Sequence, residues 1–118
     1  MADHPIISLR IDFAPGARLG PGKADLLEGI RDTGSIAAAG RRMGMSYKRA
    51  WLLVETMNAM FVAPLVASSK GGRSGGGAEL TETGHAVLAA YRAMEDKLRR
   101  SGAAETATLV GLFRPSGD

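Results

Sequence analysis

Cysteine is absent from this 118-residue chain, and aromatic residues are few: one tryptophan, two tyrosines and three phenylalanines. Without cysteine there is no disulfide scaffold, no thiolate metal site and no cysteine nucleophile. Histidine is almost as scarce. His4 and His85 stand far apart, and neither has metal-ligand spacing around it. With 5% aromatics the core must be built from Leu, Ile, Val, Met and Ala, and it will be thin. A chain this small buries a modest fraction of its surface, so a partner subunit would help it. No apolar run approaches the roughly 20 residues that span a bilayer. The N-terminal residues Met1 to Pro5 lack the basic start and apolar stretch of a signal peptide, so no membrane partner and a cytoplasmic location are expected. Hydrophobic residues at 45% and charged residues at 23% suit one soluble globular domain.

The net charge is only +3, but it is unevenly spread. Residues 1–40 carry four positive and five negative side chains, and residues 78–118 carry five and six. Between them, Arg41, Arg42, Lys48, Arg49, Lys70 and Arg73 face a single acid, Glu55, for a local net charge of +5. A localised basic surface on a near-neutral body is the footprint of a polyanion binder.

Periodicity gives the elements. Ile7, Leu9, Ile11 and Phe13 alternate with polar residues, which predicts a half-buried strand over 6–13. Proline and glycine then mark a loop up to residue 22. Leu26, Leu27 and Ile30 predict a helix over 23–32, stopped by Thr33-Gly34. Ser35 is an N-cap for a helix over about 36–43, whose stripe of Ile36, Ala39, Gly40 and Met43 is small enough for close approach by another helix. Gly44 fits a tight C-terminal turn. Ser46 then caps a third helix, about 47–62, with a core face of Ala50, Leu53, Val54, Met57, Met60 and Phe61. Lys48, Leu52 and Glu55 point the opposite way, with Arg49 and Thr56 on one flank. Tyr47, Trp51 and Asn58 lie on the other flank, nearer the core. Residues 65–70 and 78–80 read as strands of a hairpin around the glycine-rich 71–77. Thr81 caps a fourth helix, about 82–100, where Val87, Tyr91, Met94 and Leu98 recur at the spacing of a helix that packs on another helix. His85, Arg92, Asp96 and Arg99 are expected to face out. Residues 101–118 form a tail that docks on the domain or frays.

Two short helices around a Gly44 turn, followed by a glycine-rich hairpin, make a winged helix-turn-helix pattern, mainly α with a small β-hairpin. In such a unit the N-terminal residues of the recognition helix meet base edges in the major groove. Here they are Ser46, Tyr47, Lys48 and Arg49. Lys48 and Arg49 can bond guanine or phosphate, and Leu52 can touch a thymine methyl. Arg41 and Arg42 are placed for backbone phosphates, while Lys70 and Arg73 reach phosphate or the minor groove. The glycine cluster is no phosphate-binding P-loop, because no Gly-Lys-Ser/Thr follows it. A solvent-exposed wing also makes a poor selective pocket for molybdate or another oxyanion. With no nucleophile–base pair, carboxylate pair or metal cluster in evidence, an enzyme is not expected, nor a metal or cofactor.

The run Thr33-Gly34-Ser35-Ile36-Ala37-Ala38-Ala39, then Met43-Gly44-Met45-Ser46-Tyr47-Lys48-Arg49-Ala50-Trp51, then Met57-Asn58, resembles the DNA-binding domain of the molybdate-responsive ModE regulators. Residues 71–84 match the same family, and Leu80-Thr81-Glu82-Thr83-Gly84 also looks like LysR-type regulators. The resemblance covers about residues 6–100. It implies a winged helix-turn-helix that binds double-stranded DNA as a homodimer, with Ser35 among the contacting residues. Full-length relatives of this type carry C-terminal domains that bind molybdate. The roughly 18 residues after the fourth helix are too few for one, so DNA binding carries over and molybdate sensing does not. The expectation is a stand-alone regulator: residues 1–100 the DNA-binding and dimerisation domain, helix about 46–62 reading the groove, residues 70–78 the wing, and Val87, Tyr91, Met94 and Leu98 the dimer seam. The rival reading is a protein-interaction module on the same scaffold.

Overall fold

A computed structural model describes residues 4–70 and 76–115. In chain order the elements are β1 (Ile11–Ala14), β2 (Ala17–Leu19), α1 (Pro21–Thr33), α2 (Ile36–Arg42), α3 (Tyr47–Met60), β3 (Val66–Lys70), β4 (Gly76–Leu80), α4 (Glu82–Ser101) and α5 (Ala103–Leu112). The strands form two separate antiparallel hairpins, β1–β2 and β3–β4. Helices α1, α2 and α3 pack together, and α4 lies against α1.

The N-terminal strand is shorter than its alternation predicts. Ile7, Leu9 and Ile11 are half-buried as expected, but ladder pairing begins only at Ile11, opposite Leu19. The reason is the partner: β2 has three residues, so nothing pairs with 6–10. Phe13 is 55% exposed, and its ring meets Phe61 edge-on at 5.6 Å. The stretch expected to be all loop contains β2, reversed through Gly16 at φ 81°. Helix α1 begins at Pro21, two residues early. Proline at the first helical position gives up no helical hydrogen bond and supplies the right φ.

The caps fall where the serines and threonine predict. Ser35 Oγ accepts from Ala38 N at 3.0 Å, Ser46 Oγ from Arg49 N at 3.1 Å, and Thr81 Oγ1 from Gly84 N at 2.9 Å. Gly34 and Gly44 take positive φ, as helix-ending glycines do. Small residues set the helix crossings. A Cβ on Gly40 would stand 3.0 Å from Ala50 Cβ, and one on Gly29 would stand 2.9 Å from Ala39 Cβ.

Helix α3 ends at Met60 and turns through Phe61, two residues before its predicted end. The Asn58 side chain accepts from Leu65 N and Val66 N at 2.8 and 3.1 Å and donates to Val66 O at 3.2 Å. That clamp fixes where β3 starts. The far strand, β4, is tied to the α1–α2 turn by Ala78 N donating to Gly34 O at 3.0 Å.

Helix α4 corrects two expectations. Tyr91 is 2% exposed and donates its hydroxyl to Leu9 O at 2.5 Å, so it belongs to the chain's own core. Arg92 does not face freely outward. Its guanidinium lies 2.7 Å from Asp25, 2.9 Å from Glu28 and 3.0 Å from the buried Glu95. Burial disfavours its charge, but the hydrogen bonds to Asp25, Glu95 and Glu28 outweigh that and raise its pKa above the ordinary arginine range. The tail, too, is ordered further than expected: α5 follows Gly102 as a ten-residue helix, with no buried residue. Among the described residues no helix is long and apolar enough to cross a membrane.

Two outcomes follow from this packing. A Cβ at Gly84 would lie 2.1 Å from the backbone oxygen of Leu65, where no side chain can yield. Gly84→Ala should therefore destabilise the fold by about 2–3 kcal/mol in denaturant melts. Burial first, and the Glu95 carboxylate second, raise the pKa of Tyr91 above its ordinary value of 10.0. The folded state then holds that proton more tightly than the unfolded chain does. The stabilisation is complete below the unfolded value and is lost as pH climbs through the folded one. Melting temperature should fall above about pH 10, and Tyr91→Phe should flatten that fall.

Candidate nucleic-acid interface

The cap at Ser46 starts α3 at a fixed point and leaves its first turns projecting. Tyr47, Lys48, Arg49 and Leu52 are all exposed, with Tyr47 at 57% and Leu52 at 49%. The opposite face of the helix, with Ala50, Val54 and Met57, is buried. The amphipathic reading of α3 thus sorts its side chains correctly, except for Tyr47 and Trp51 on the flank it sets nearer the core. Expected near the core, Trp51 is 42% exposed. One turn after Tyr47, it lines the same cleft, together with Ser35, Ala37 and Ser68. The signal that could have found it is the i, i+4 spacing from Tyr47, which puts both rings on one side of the helix.

Electrostatics divide the predicted cations. Among the described residues, Arg41, Lys48 and Arg49 have no acidic partner within ion-pair distance. Arg42 sits 3.7 Å from Asp32 and shares a cleft with Asp25 and Glu28 of α1, so its charge is partly compensated there. Lys70 ends β3 on the wing hairpin. Arg73 lies outside the described residues. Ser35 is half-buried, its oxygen engaged as a cap, and Ser46 is exposed in the same role. The first turn of α3 also carries the positive end of the helix dipole, and no acid stands there to offset it.

The four seam residues of α4 separate into two pairs. Val87 packs against the chain's own core, as does Tyr91, whereas Met94 and Leu98 are 48% and 41% exposed. The spacing marks a helix that packs on a helix, and α4 does lie against α1 of the same chain. The exposed half continues into α5, where Leu109, Val110 and Leu112 are solvent-facing, as is Phe113 just after the helix. Two adjoining grooves, of about 580 and 540 Å³, run between residues 5–7 and α5.

A helix-turn-helix closed by a β-hairpin, with the second helix presenting a basic first turn, defines a winged helix-turn-helix domain. No protein-family model matches the chain. It is 50% identical over 80 residues to the molybdenum-pterin-binding protein MopB of Rhodobacter capsulatus, a match covering 68% of this chain and 30% of MopB. It is 41% identical over 87 residues to the molybdenum transport protein ModE of Azotobacter vinelandii, covering 74% of this chain and 32% of that protein. Among solved structures, the CbnR DBD–DNA complex superposes with a TM-score of 0.57 at 25% identity, over 75% of this chain and 95% of that one. The chain is a ModE-type winged helix-turn-helix domain. It spans about a third of the length of the curated relatives it matches.

Proposed function

We propose that this chain is a sequence-specific DNA-binding transcriptional regulator that acts as a homodimer. The observation that carries the reading is the first two turns of α3. Tyr47, Lys48, Arg49 and Leu52 project from a capped helix, and neither cation is neutralised by a described acid. Support comes from the shared fold with a domain solved on DNA and from relatives named as transcriptional regulators.

In this reading α3 enters the major groove. Lys48 and Arg49 bond guanine O6 and N7 or adjacent phosphate, and Leu52 meets a thymine methyl. Arg41 takes backbone phosphate. Arg42, already near α1 carboxylates, contributes less. The β3–β4 hairpin, with Lys70 and Arg73, lies on the backbone or in the adjacent minor groove. Two copies joined through Met94 and Leu98, with the apolar side chains of α5 beside them, would set their recognition helices about one DNA turn, roughly 34 Å, or a multiple apart. Tyr91 and Val87 support this surface from inside rather than forming it.

If each subunit neutralises about 3–4 phosphates, the slope of log affinity against log salt should be about −5 to −7 for the dimer. Lys48→Ala should weaken binding by about 1–3 kcal/mol per subunit and relax base preference if Lys48 reads a base, or reduce the dimer's slope by about 2, one phosphate per subunit, if it meets phosphate. Titration of labelled duplexes across a salt series checks both, and a slope near zero would defeat the electrostatic argument. For the dimer, Leu98→Asp places a charge on an already exposed position, so the fold should survive while association is lost. Sedimentation at micromolar concentration should then report a dimer for the wild type and a monomer for the variant. A monomeric wild type would refute the homodimer.

A further inference from the structure

We infer that the cleft between α3 and the wing hairpin is the seat of one sugar–phosphate strand, held mainly by uncharged contacts from Tyr47 and Trp51. The inference rests on the DNA-binding reading and deepens it. The cleft is open and has a volume of about 370 Å³. Tyr47 and Trp51 form one wall, while Ser68 and the backbone of Gly77 and Ala78 form the other. Ser35, Ile36 and Ala37, at the start of α2, complete its lining.

The geometry of a duplex decides what can lie there. If α3 occupies the major groove and the hairpin overlies the neighbouring minor groove, the strand dividing the two grooves must pass between them. The cleft is the space between those two elements. Its charge setting suits the occupant, because no described acid lines it. Its chemistry suits the occupant as well. The rings offer flat apolar faces to the C–H surface of deoxyribose. Ser35 already accepts a bond from Ala38 N, which leaves its hydroxyl hydrogen to donate to phosphate. Ser68 is exposed and its hydroxyl has no protein partner among the described residues.

The placement of Trp51 is otherwise costly to explain. It is the chain's only tryptophan, and in a protein this poor in aromatics it is left 42% exposed instead of filling the thin core. A large apolar side chain standing at the rim of a polar cleft gains most when a ligand covers it. Because the contact neutralises no charge, it adds affinity that salt does not screen and that base sequence does not alter.

The lone tryptophan makes the test direct. Anisotropy of a dye-labelled, mixed-sequence duplex reports binding, and intrinsic emission in the same titration reports Trp51. The expected result is a blue shift of the emission and protection from acrylamide quenching as the duplex saturates the protein. Trp51→Ala and Tyr47→Ala should each weaken binding about tenfold on every duplex, with the salt slope unchanged. Trp51→Phe should recover most of the loss. Emission and quenching that stay constant at saturating duplex would overturn the inference while leaving DNA binding intact, and this readout needs no variant to fold. A reduced salt slope in Trp51→Ala would overturn it too, by showing that the residue acts through a charge. Absence of any duplex binding would overturn the DNA-binding reading itself, and this cleft with it.

Discussion

The close approach of α2 to both of its neighbours governs this structure. Gly29 of α1 meets Ala39 of α2, and Gly40 of α2 meets Ala50 of α3, each with no room for one more carbon. Such contacts bring the helix axes close and make the crossing insensitive to side-chain rotamers, because almost no side chain lies between the backbones. The direction in which α3 leaves the body therefore depends on three or four small residues. Everything exposed on α3 inherits that direction: the basic first turn, Leu52 and the Tyr47–Trp51 wall. A helix stripe of alanine and glycine costs helix propensity and hydrophobic area, and here the return is geometric.

The hairpin is held to this core by polar contacts. The Asn58 amide clamps the start of β3, and the Gly34 carbonyl receives Ala78 of β4. Thr81 caps α4 and donates to Pro64 O at 2.6 Å, so the strand exits and the next helix share one knot. The wing is thus referenced to α3 and to the α1–α2 turn, and the width of the cleft between α3 and the hairpin is set by those bonds. A cleft defined this way is pre-organised, which favours binding because little order remains to be imposed.

Helix α4 serves two ends. Its inner face completes the core with Leu88 and Tyr91, and the Arg92 guanidinium ties it to α1 through Asp25 and Glu28. The ionic link satisfies the buried Glu95 at the same time, since a carboxylate left alone there would be costly. With the inner half anchored, Met94, Leu98 and the apolar side chains of α5, none of them buried, remain as apolar surface. That exposed hydrocarbon is the surface the proposed homodimer would cover.

Much of this was legible in sequence because it is local. The caps at Ser35, Ser46 and Thr81, the stops at Gly34 and Gly44, and the period of α3 each depend on residues within one or two turns. The basic segment 41–77 was legible for the same reason, as a charge count along the chain. What involved distant residues was not. Periodicity shows that α4 packs on a helix, but not that the chain's own core takes Val87 and Tyr91. The charge pattern put Arg92 outside and gave Arg41 and Arg42 equal weight, since carboxylates 10 to 67 positions away do not show in a helical wheel. The helical wheel sets Tyr47 and Trp51 on a flank nearer the core, and only the position of the hairpin reveals that this flank of α3 borders an open cleft. The amino-acid sequence by itself determined the helix-turn-helix, its caps and its positive face. The tertiary structure decided which apolar and charged groups are consumed internally and which remain for a partner, because that depends on contacts between segments that only folding brings together.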